Sequence, residues 1–426
     1  MKPPPPPADP AGRTETRLAR TMFLLVAGYL LDDAMLHPEP GTTAADHVLS
    51  GALPVSALLW AAARHPVWRA STRAAVSTAV GLLALGVGLA VPVAHARSAG
   101  PSGDDYTGIA ATVAGAALVA VGVRGAWRVR RTGGSTRSRV VRRFLVGAVA
   151  AFVAVQVVLP LGVAFVATHA PRGASPSFAP GLPWQAVRLP TADGLSLAAW
   201  YAPGHNGAAV VVVPGDGGLR HARMLRRHGY GVLLVSPRGQ GASEGDVNLF
   251  GWRGETDVRA ALAFLARRPD VDPRRVGGLG LSVGGEILLQ TAARGTGLRA
   301  VVAEGAGTRW AAEDLASPDL ENLVLAPMSV TITLGVAVFS GGLPPARLPS
   351  LLPRLGDARA LLIWSRRGQG GEHLNPRYHR AAGGASDIWE IPEAGHIGGL
   401  AARPQEYERR VVGFFDASLA ANPVGR

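Results

Sequence analysis

The chain of 426 residues contains no cysteine. Disulfides, thiolate catalysis and cysteine-ligated zinc are therefore excluded. Lysine is almost missing as well: Lys2 is the only one, and the formal charge of +13 is carried by arginine. Such a skew reflects a GC-rich coding sequence more than a selected surface. The basic excess is also uneven. Residues 1–172 hold 17 basic and 8 acidic side chains, net +9, and the remainder holds 26 and 22, net +4. Surplus arginine concentrated in the more apolar part suits side chains that flank membrane segments and argues against a nucleic-acid surface.

Long stretches of the first 170 residues lack charge. After a proline-rich start, residues 1–17, expected to be a disordered tail, come apolar runs separated by charged loops. Runs 74–96, 106–123 and 144–168 contain no Asp, Glu, Lys or Arg. Each is about long enough to cross a hydrocarbon core of roughly 30 Å, which takes some 20 residues. Run 47–63 is shorter and holds Pro54. Run 21–31 ends at Asp32 and Asp33 and crosses only if those carboxylates lie at an interface. The expectation is an all-α transmembrane bundle of four or five spans over 18–169. Soluble amphipathic helices would show a polar face, and "AAVSTAVGLLALGVGLAVPVAHA" has none. Frequent Ala, Gly, Ser and Thr favour close packing between membrane helices. A cleavable signal peptide is a poor alternative, because the runs are several and too long.

Loop charge predicts orientation. Arg124, Arg128, Arg130, Arg131, Arg137, Arg139, Arg142 and Arg143 crowd one loop, and Arg64, Arg69 and Arg73 another. The intervening loops carry Asp32, Asp33, Glu39 and Asp46, or one Arg against Asp104 and Asp105. By the positive-inside rule the arginine-rich loops face the cytoplasm. The last span then delivers everything after Thr168 to the outside.

A Pro/Gly/Ser linker over 170–183 leads into a different pattern over 184–421. "QAVRLPTADGLSLAAWYAP" reads as two strands around Asp193-Gly194. "AVVVV", "GVLLV", "VGGLGL", "AVVAE", "ALLIW" and "DIWEI" read as further strands with helical patterns between them. Short apolar strands alternating with helices mean a doubly wound, mostly parallel sheet covered on both faces, an α/β fold.

The frame Gly-x-Ser-x-Gly occurs twice, around Ser282 and around Ser243. In a chain with 55 glycines the spelling alone decides nothing. Ser282 follows a buried strand and opens a helix, the setting that exposes a nucleophilic hydroxyl at the sheet edge. Ser243 lacks it. A serine needs a base and the base an orienting group. His396, in "EAGHIGG" after the last strand, is the candidate base. Glu372, in "GQGGEHLNP" after the preceding strand, is the candidate acid, and Glu304 its rival. The backbone amides of Val283 and Asp216 are the candidate oxyanion donors. No metal or cofactor is implied.

These residues resemble the α/β-hydrolase family, especially its serine aminopeptidase-like and monoacylglycerol-lipase-like branch. The resemblance covers Trp184 to about Phe415 and rests on "VVVVPGDGG", "GYGVLLVSPRGQGASEGD", "DVRAALAFLARRPDVDPRRVGGLGLSVGGE" and "AGHIGG". It implies Ser282 as nucleophile, His396 as base, Glu372 as acid, the Asp216 and Val283 amides as an oxyanion hole, and Ser243 as part of a structural loop. The chain departs from the family pattern at Pro214, where His is usual, at Ser236, where Asp is frequent, and in having Glu as the acid. The residues 305–359 form an insertion whose stretch 323–342 is apolar. As a span it would separate Ser282 from His396, so it is expected to be a lid suited to acyl chains. The function expected is a membrane-anchored serine hydrolase acting on an ester, thioester or amide of a small molecule or lipid. The alternatives are an aminopeptidase-type peptidase, with Glu286 or Asp246 to hold a substrate amine, and a catalytically inactive scaffold.

Overall fold

The structure is a computed structural model that describes residues 10–98, 103–129, 147–170, 172, 184–315 and 320–420. The first nine residues of the expected tail, positions 173–183 of the expected linker and positions 130–146 of the arginine-rich loop lie outside the described residues. The chain divides into two compact units. One comprises Met1–Pro38, Thr43–Pro171 and Pro327–Gly342, and the other Glu39–Thr42, Arg172–Ala326 and Leu343–Arg426.

The first unit is a helical bundle: α1 (Pro10–Leu31), α2 (Val48–Arg64), α3 (Ala70–Ser98), α4 (Gly103–Val129) and α5 (Gly147–Thr168). Among the described residues three stretches are long and apolar enough to cross a membrane: Ala70–Leu89, Tyr106–Arg128 and Gly147–Thr168. Helices α3 and α4 pack with their backbones nearly touching. A Cβ on Gly88 would lie 2.5 Å from the Gly108 carbonyl oxygen, and one on Gly115 would lie 2.6 Å from the Leu85 nitrogen. Small residues at such crossings let apolar helices associate without a hydrophobic driving force.

Polar contacts sort the ends of this bundle. At one end Thr107 donates to Asp32 at 2.6 Å and His169 Nε2 lies 3.3 Å from Asp33. At the other, Glu15 meets Arg124 and Arg128, both at 2.9 Å, and Arg73 reaches Thr16 at 3.1 Å. These contacts explain a departure from expectation. Residues 10–17 are helical rather than tail, because Pro10 sits where no amide donor is needed and Glu15 finds cationic partners.

The second unit is built on an eight-stranded sheet: β1 (Gln185–Pro190), β2 (Ser196–Ala202), β3 (Ala209–Val213), β4 (Gly231–Val235), β5 (Val276–Leu281), β6 (Ala300–Glu304), β7 (Arg359–Trp364) and β8 (Ser386–Glu390). Their spatial order is β1-β2-β4-β3-β5-β6-β7-β8, with β2 antiparallel to its neighbours and β3 through β8 mutually parallel. This is an α/β-hydrolase fold. Every residue of β3 is buried. Ala209, Val211 and Val213 point into one core, and Val210 and Val212 into the other. The period of two is met on both faces, which is why the strand reads as an unbroken apolar run. The chain runs from β3 to β4 on one side and then to β5 on the other. The crevice at the carboxyl ends of β3 and β5 is therefore the topological switch point, where open α/β sheets bind ligands.

Helices α6 (Gly215–Arg227), α7 (Gly254–Leu265) and α8 (Val283–Ala292) cover the sheet. The connection from β6 to β7 carries α9 (Ala311–Asp314), α10 (Leu320–Ser340) and α11 (Leu348–Leu351), followed downstream by α12 (Asn375–Ala382), α13 (Gly399–Ala402) and α14 (Pro404–Ser418). The sequence reading keeps this whole insertion with the hydrolase domain. The structure groups its apolar half, Pro327–Gly342, with the helical unit, because these residues hold no charge and pack against apolar α5 through Gly335 and Phe339. Conversely, Glu39–Thr42, from the loop after α1, belongs to the α/β unit. There Pro40 accepts from the Gly245 amide at 2.9 Å and Arg172 binds Glu39 at 2.6 Å.

Candidate active site

One residue joins β5 to α8. Ser282 makes that turn with φ 52° and ψ −128°, a strained conformation for a side chain. The flanking glycines are steric requirements. A Cβ on Gly280 would lie 2.3 Å from the Gly285 nitrogen, and one on Gly284 would lie 2.2 Å from the Val213 carbonyl. The turn is fastened to β6 by the Ser282 amide, which donates to the Glu304 carbonyl at 2.8 Å.

Three side chains meet above it. Ser282 Oγ lies 2.9 Å from His396 Nε2, and His396 Nδ1 lies 2.5 Å from Glu372 Oε1. A carboxylate only accepts, so Nδ1 carries the proton and Nε2 is left to accept from the serine hydroxyl. Glu372 is 2% exposed, and its Oε2 accepts from the Ser365 amide at 2.9 Å. The Ser365 hydroxyl in turn donates to the Ala394 carbonyl at 2.6 Å, tying the loop after β7 to the loop that carries His396. The hydrogen bond to Glu372 raises the His396 pKa above the ordinary 6.5, against the opposing effect of partial burial.

Glu304, the rival acid, is engaged elsewhere. It accepts from the Gly399 amide at 2.7 Å and from the Tyr407 hydroxyl at 2.6 Å, with His221 Nε2 3.5 Å away. Burial alone would raise its carboxyl, but these partners together hold it below the usual range. Ser243, the second candidate frame, is fully buried. It donates to the Ser236 carbonyl at 2.7 Å and accepts from the Ala198 amide at 2.9 Å, and so holds the "GASEG" loop against β2.

Val283 is the first residue of α8 and Asp216 lies in the first turn of α6. The strands before them pair in parallel, Val213 opposite Gly280, so both helices start at one sheet edge. Helix N-termini with unpaired amides favour developing negative charge. Glu286, one turn beyond Ser282, is not open to a ligand. It is 2% exposed, accepts from the Gly307 amide at 2.8 Å and lies 3.3 Å from the fully buried Arg309 guanidinium.

Two residues that support the site escape a reading of motifs. A Cβ on Gly368 would lie 2.1 Å from the Glu372 carboxyl carbon. Gly305, at φ 71°, offers no room either: a Cβ would stand 3.2 Å from His396 Cε1 and 3.3 Å from Glu372 Oε1. The only trace in the sequence is the density of glycine after β6 and β7.

Residues 163–323 match the family described as X-Pro dipeptidyl-peptidase (S15 family). The stretch is less than half of the chain and contains Ser282 but neither Glu372 nor His396. An uncharacterized protein of Mycobacterium tuberculosis is 38% identical over 109 residues, 24% of this chain and 38% of that protein. A polyketide transferase of Penicillium is 31% identical over 126 residues, 26% of this chain and 41% of that protein. The chain thus spans well under half the length of these relatives. A solved esterase of Pyrococcus furiosus superposes with a TM-score of 0.47 at 18% identity, covering 59% of this chain and 97% of the esterase.

Proposed function

We propose that the protein is a membrane-anchored serine hydrolase that transfers the acyl group of an ester to water, with carboxylesterase or lipase-like substrates. The observation that carries this reading is the continuous relay from Ser282 Oγ to His396 Nε2 at 2.9 Å and from His396 Nδ1 to Glu372 at 2.5 Å. His396 removes the Ser282 proton as Oγ attacks the carbonyl carbon. The resulting oxyanion is held by the amides of Val283 and Asp216. As the C–O bond to the leaving alcohol breaks, His396 returns the proton to it, leaving an acyl-serine. Water, deprotonated by the same imidazole, attacks that ester and releases the acid and the free serine. Glu372 holds the imidazole in one tautomer and stabilises its cation.

The bundle anchors the enzyme, and the hydrolase domain lies outside the cytoplasm. Support comes from the arginines of one bundle end, Arg73, Arg124 and Arg128, against the carboxylates Asp32 and Asp33 of the other.

The match to a peptidase family favours a second reading, cleavage of peptides at an N-terminus. Such an enzyme needs a free carboxylate for the substrate amine, and the pairing of Glu286 with Arg309 removes one of the two candidates. Fluorophosphonate labelling of the full chain in membranes tests the common chemistry. Ser282→Ala is expected to abolish labelling, and persistent labelling overturns the assignment. A panel of acyl esters against aminoacyl amides then separates esterase from peptidase.

A further inference from the structure

We infer that Ile397, the residue after His396, is a positioning residue of the relay: its branched side chain, seated against the core, holds a left-handed backbone turn that aims the imidazole between Ser282 and Glu372. This rests on the proposed hydrolase reading, in which His396 is the base.

The first support is where backbone strain falls. Among the described residues two that are not glycine have positive φ, Ser282 at 52° and Ile397 at 49°. A β-branched side chain in this region is an outlier, because its Cβ crowds the neighbouring carbonyl oxygen. Such strain persists where the surroundings over-determine it, and it gathers at active sites. One of the two residues carries the hydroxyl of the relay and the other follows its imidazole. The Gly398 amide donates to the Gly395 carbonyl at 3.1 Å, closing a four-residue turn with His396 and Ile397 at its centre. Positive φ at the third residue of a turn is the pattern of type II, which favours glycine there. Glycines stand on both sides of the pair, yet Gly398 sits at φ −97° and the left-handed place is held by isoleucine.

The second support is what holds the side chain and the turn. Ile397 is half-buried and packs against the core that contains Leu281, Val302 and Trp389. Its Cγ2 lies over Gly305, where an added Cβ would come within 3.0 Å of it. The turn is tied on both sides: the Ser365 hydroxyl donates to the Ala394 carbonyl at 2.6 Å, and the Gly399 amide donates to Glu304 at 2.7 Å. With the Ile397 side chain fixed in the core, rotation about its N–Cα bond swings the His396–Ile397 peptide, and the imidazole with it. A return to the ordinary φ of about −63° is a rotation of roughly 110°.

Alanine and glycine separate this role from ordinary packing. Alanine lacks the branched anchor and resists positive φ, so the turn relaxes and the imidazole leaves its line. Glycine lacks the anchor too, but it adopts positive φ freely and has no strain to be held. Valine keeps the branch at Cβ and therefore the anchor. The rate at which Ser282 attacks an electrophile then ranks isoleucine and valine first, glycine next and alanine last. Packing alone ranks glycine no better than alanine, because glycine buries less surface and loses more entropy on folding.

The test compares the wild type, Ile397→Val, Ile397→Gly, Ile397→Ala and Ser282→Ala as purified full chains. The rate of labelling by a fluorophosphonate probe is the readout, labelling carried to completion counts the sites, and circular dichroism reports folding. Ile397→Val is expected to label close to the wild-type rate, and Ile397→Ala about 5- to 30-fold more slowly than Ile397→Gly. Ile397→Gly labelled no faster than Ile397→Ala overturns the positioning role and leaves the hydrolase reading standing. A fall of Ile397→Val to the level of Ile397→Ala overturns it as well. A wild type that the probe does not label, or a labelled Ser282→Ala, overturns the hydrolase reading and this inference with it. If Ile397→Ala does not fold, Ile397→Ser, equally short of the anchor, takes its place.

Discussion

His396 and Glu372 share a hydrogen bond of 2.5 Å, and Glu372 spends its other oxygen on the Ser365 amide. The carboxylate is therefore held at both ends and aimed at one imidazole nitrogen. Glu304 is also buried and near the site, but its two oxygens are taken by the Gly399 amide and the Tyr407 hydroxyl. The two carboxylates have separate duties, one in the relay and one in fastening the loop behind it.

That separation is measurable. Glu372→Gln is expected to lower kcat by roughly 10²- to 10⁴-fold with little change in KM, because the amide cannot hold the required tautomer or stabilise the imidazolium. Glu304→Gln keeps the relay but disrupts the acceptor shared by Tyr407. It should cost about 1–3 kcal/mol of stability and leave kcat nearer to wild type. Steady-state kinetics and thermal unfolding of the two variants, side by side, check the assignment. An inverted pattern would make Glu304 the working acid.

The pH profile follows from the raised pKa of His396. Catalysis needs the neutral imidazole, so kcat/KM falls as pH drops through the folded-state value, which the Glu372 hydrogen bond holds above 6.5. The stability linkage has the opposite sense. A raised histidine pKa stabilises the fold fully below the unfolded value, and the contribution fades as pH rises through the folded one. The acid limb of the rate profile should lie above 6.5 and move down in Glu372→Gln. An unmoved limb would assign the titration to another group.

Gly368→Ala tests the pocket that shapes the acid. Its Cβ would stand 2.1 to 2.4 Å from the three carboxyl atoms of Glu372, so the carboxylate must move away from His396. A displacement of this size is expected to lower kcat by about 10²-fold with KM largely kept. Gly384→Ala, where a Cβ meets nothing within 4 Å, is the control and should behave as wild type.

The three side chains that converge in the candidate site were legible in the sequence because each follows from a local rule. Ser282 lies between a buried strand and a helix, His396 follows the last strand, and Glu372 is the only carboxylate between Asp357 and Asp387. The strands were legible for the same reason: β3 is apolar at every position because both of its faces are buried. What was not legible depends on pairs of distant segments. The apolar run in α10 announces burial but not by what, and its pairing with α5 through Gly335 and Ala164 joins residues 171 positions apart. The helical start at Pro10 hides behind a proline-rich composition, since Glu15 finds its partners at Arg124 and Arg128. Gly368 and Gly305 look like ordinary loop glycines until the loops after β6, β7 and β8 are brought together.

The buried pair behind the nucleophile gives a last prediction. Arg309 and Glu286 are each at most 2% exposed and 3.3 Å apart, and Arg309 also donates to Gln290 on α8 at 2.5 Å. The pair thus joins the helix that begins at Ser282 to the root of the insertion. Removing one partner strands the other, so Arg309→Met alone should cost about 3–5 kcal/mol. The double change Arg309→Met with Glu286→Gln should recover part of that loss, because both members of the Arg309–Glu286 pair are then uncharged. Burial pushes the Glu286 carboxyl from 4.5 up to about 7, against the attraction of Arg309. Between those pH values the folded chain holds a proton that the unfolded chain has released, so this group makes stability fall as pH rises. Glu286→Gln removes the titration and should flatten the stability profile from pH 4.5 to 7. Chemical denaturation at a series of pH values measures the slope. A slope unchanged by Glu286→Gln would mean that Arg309 keeps the carboxylate ionised throughout, and that the pair acts as a fixed brace for the nucleophile helix.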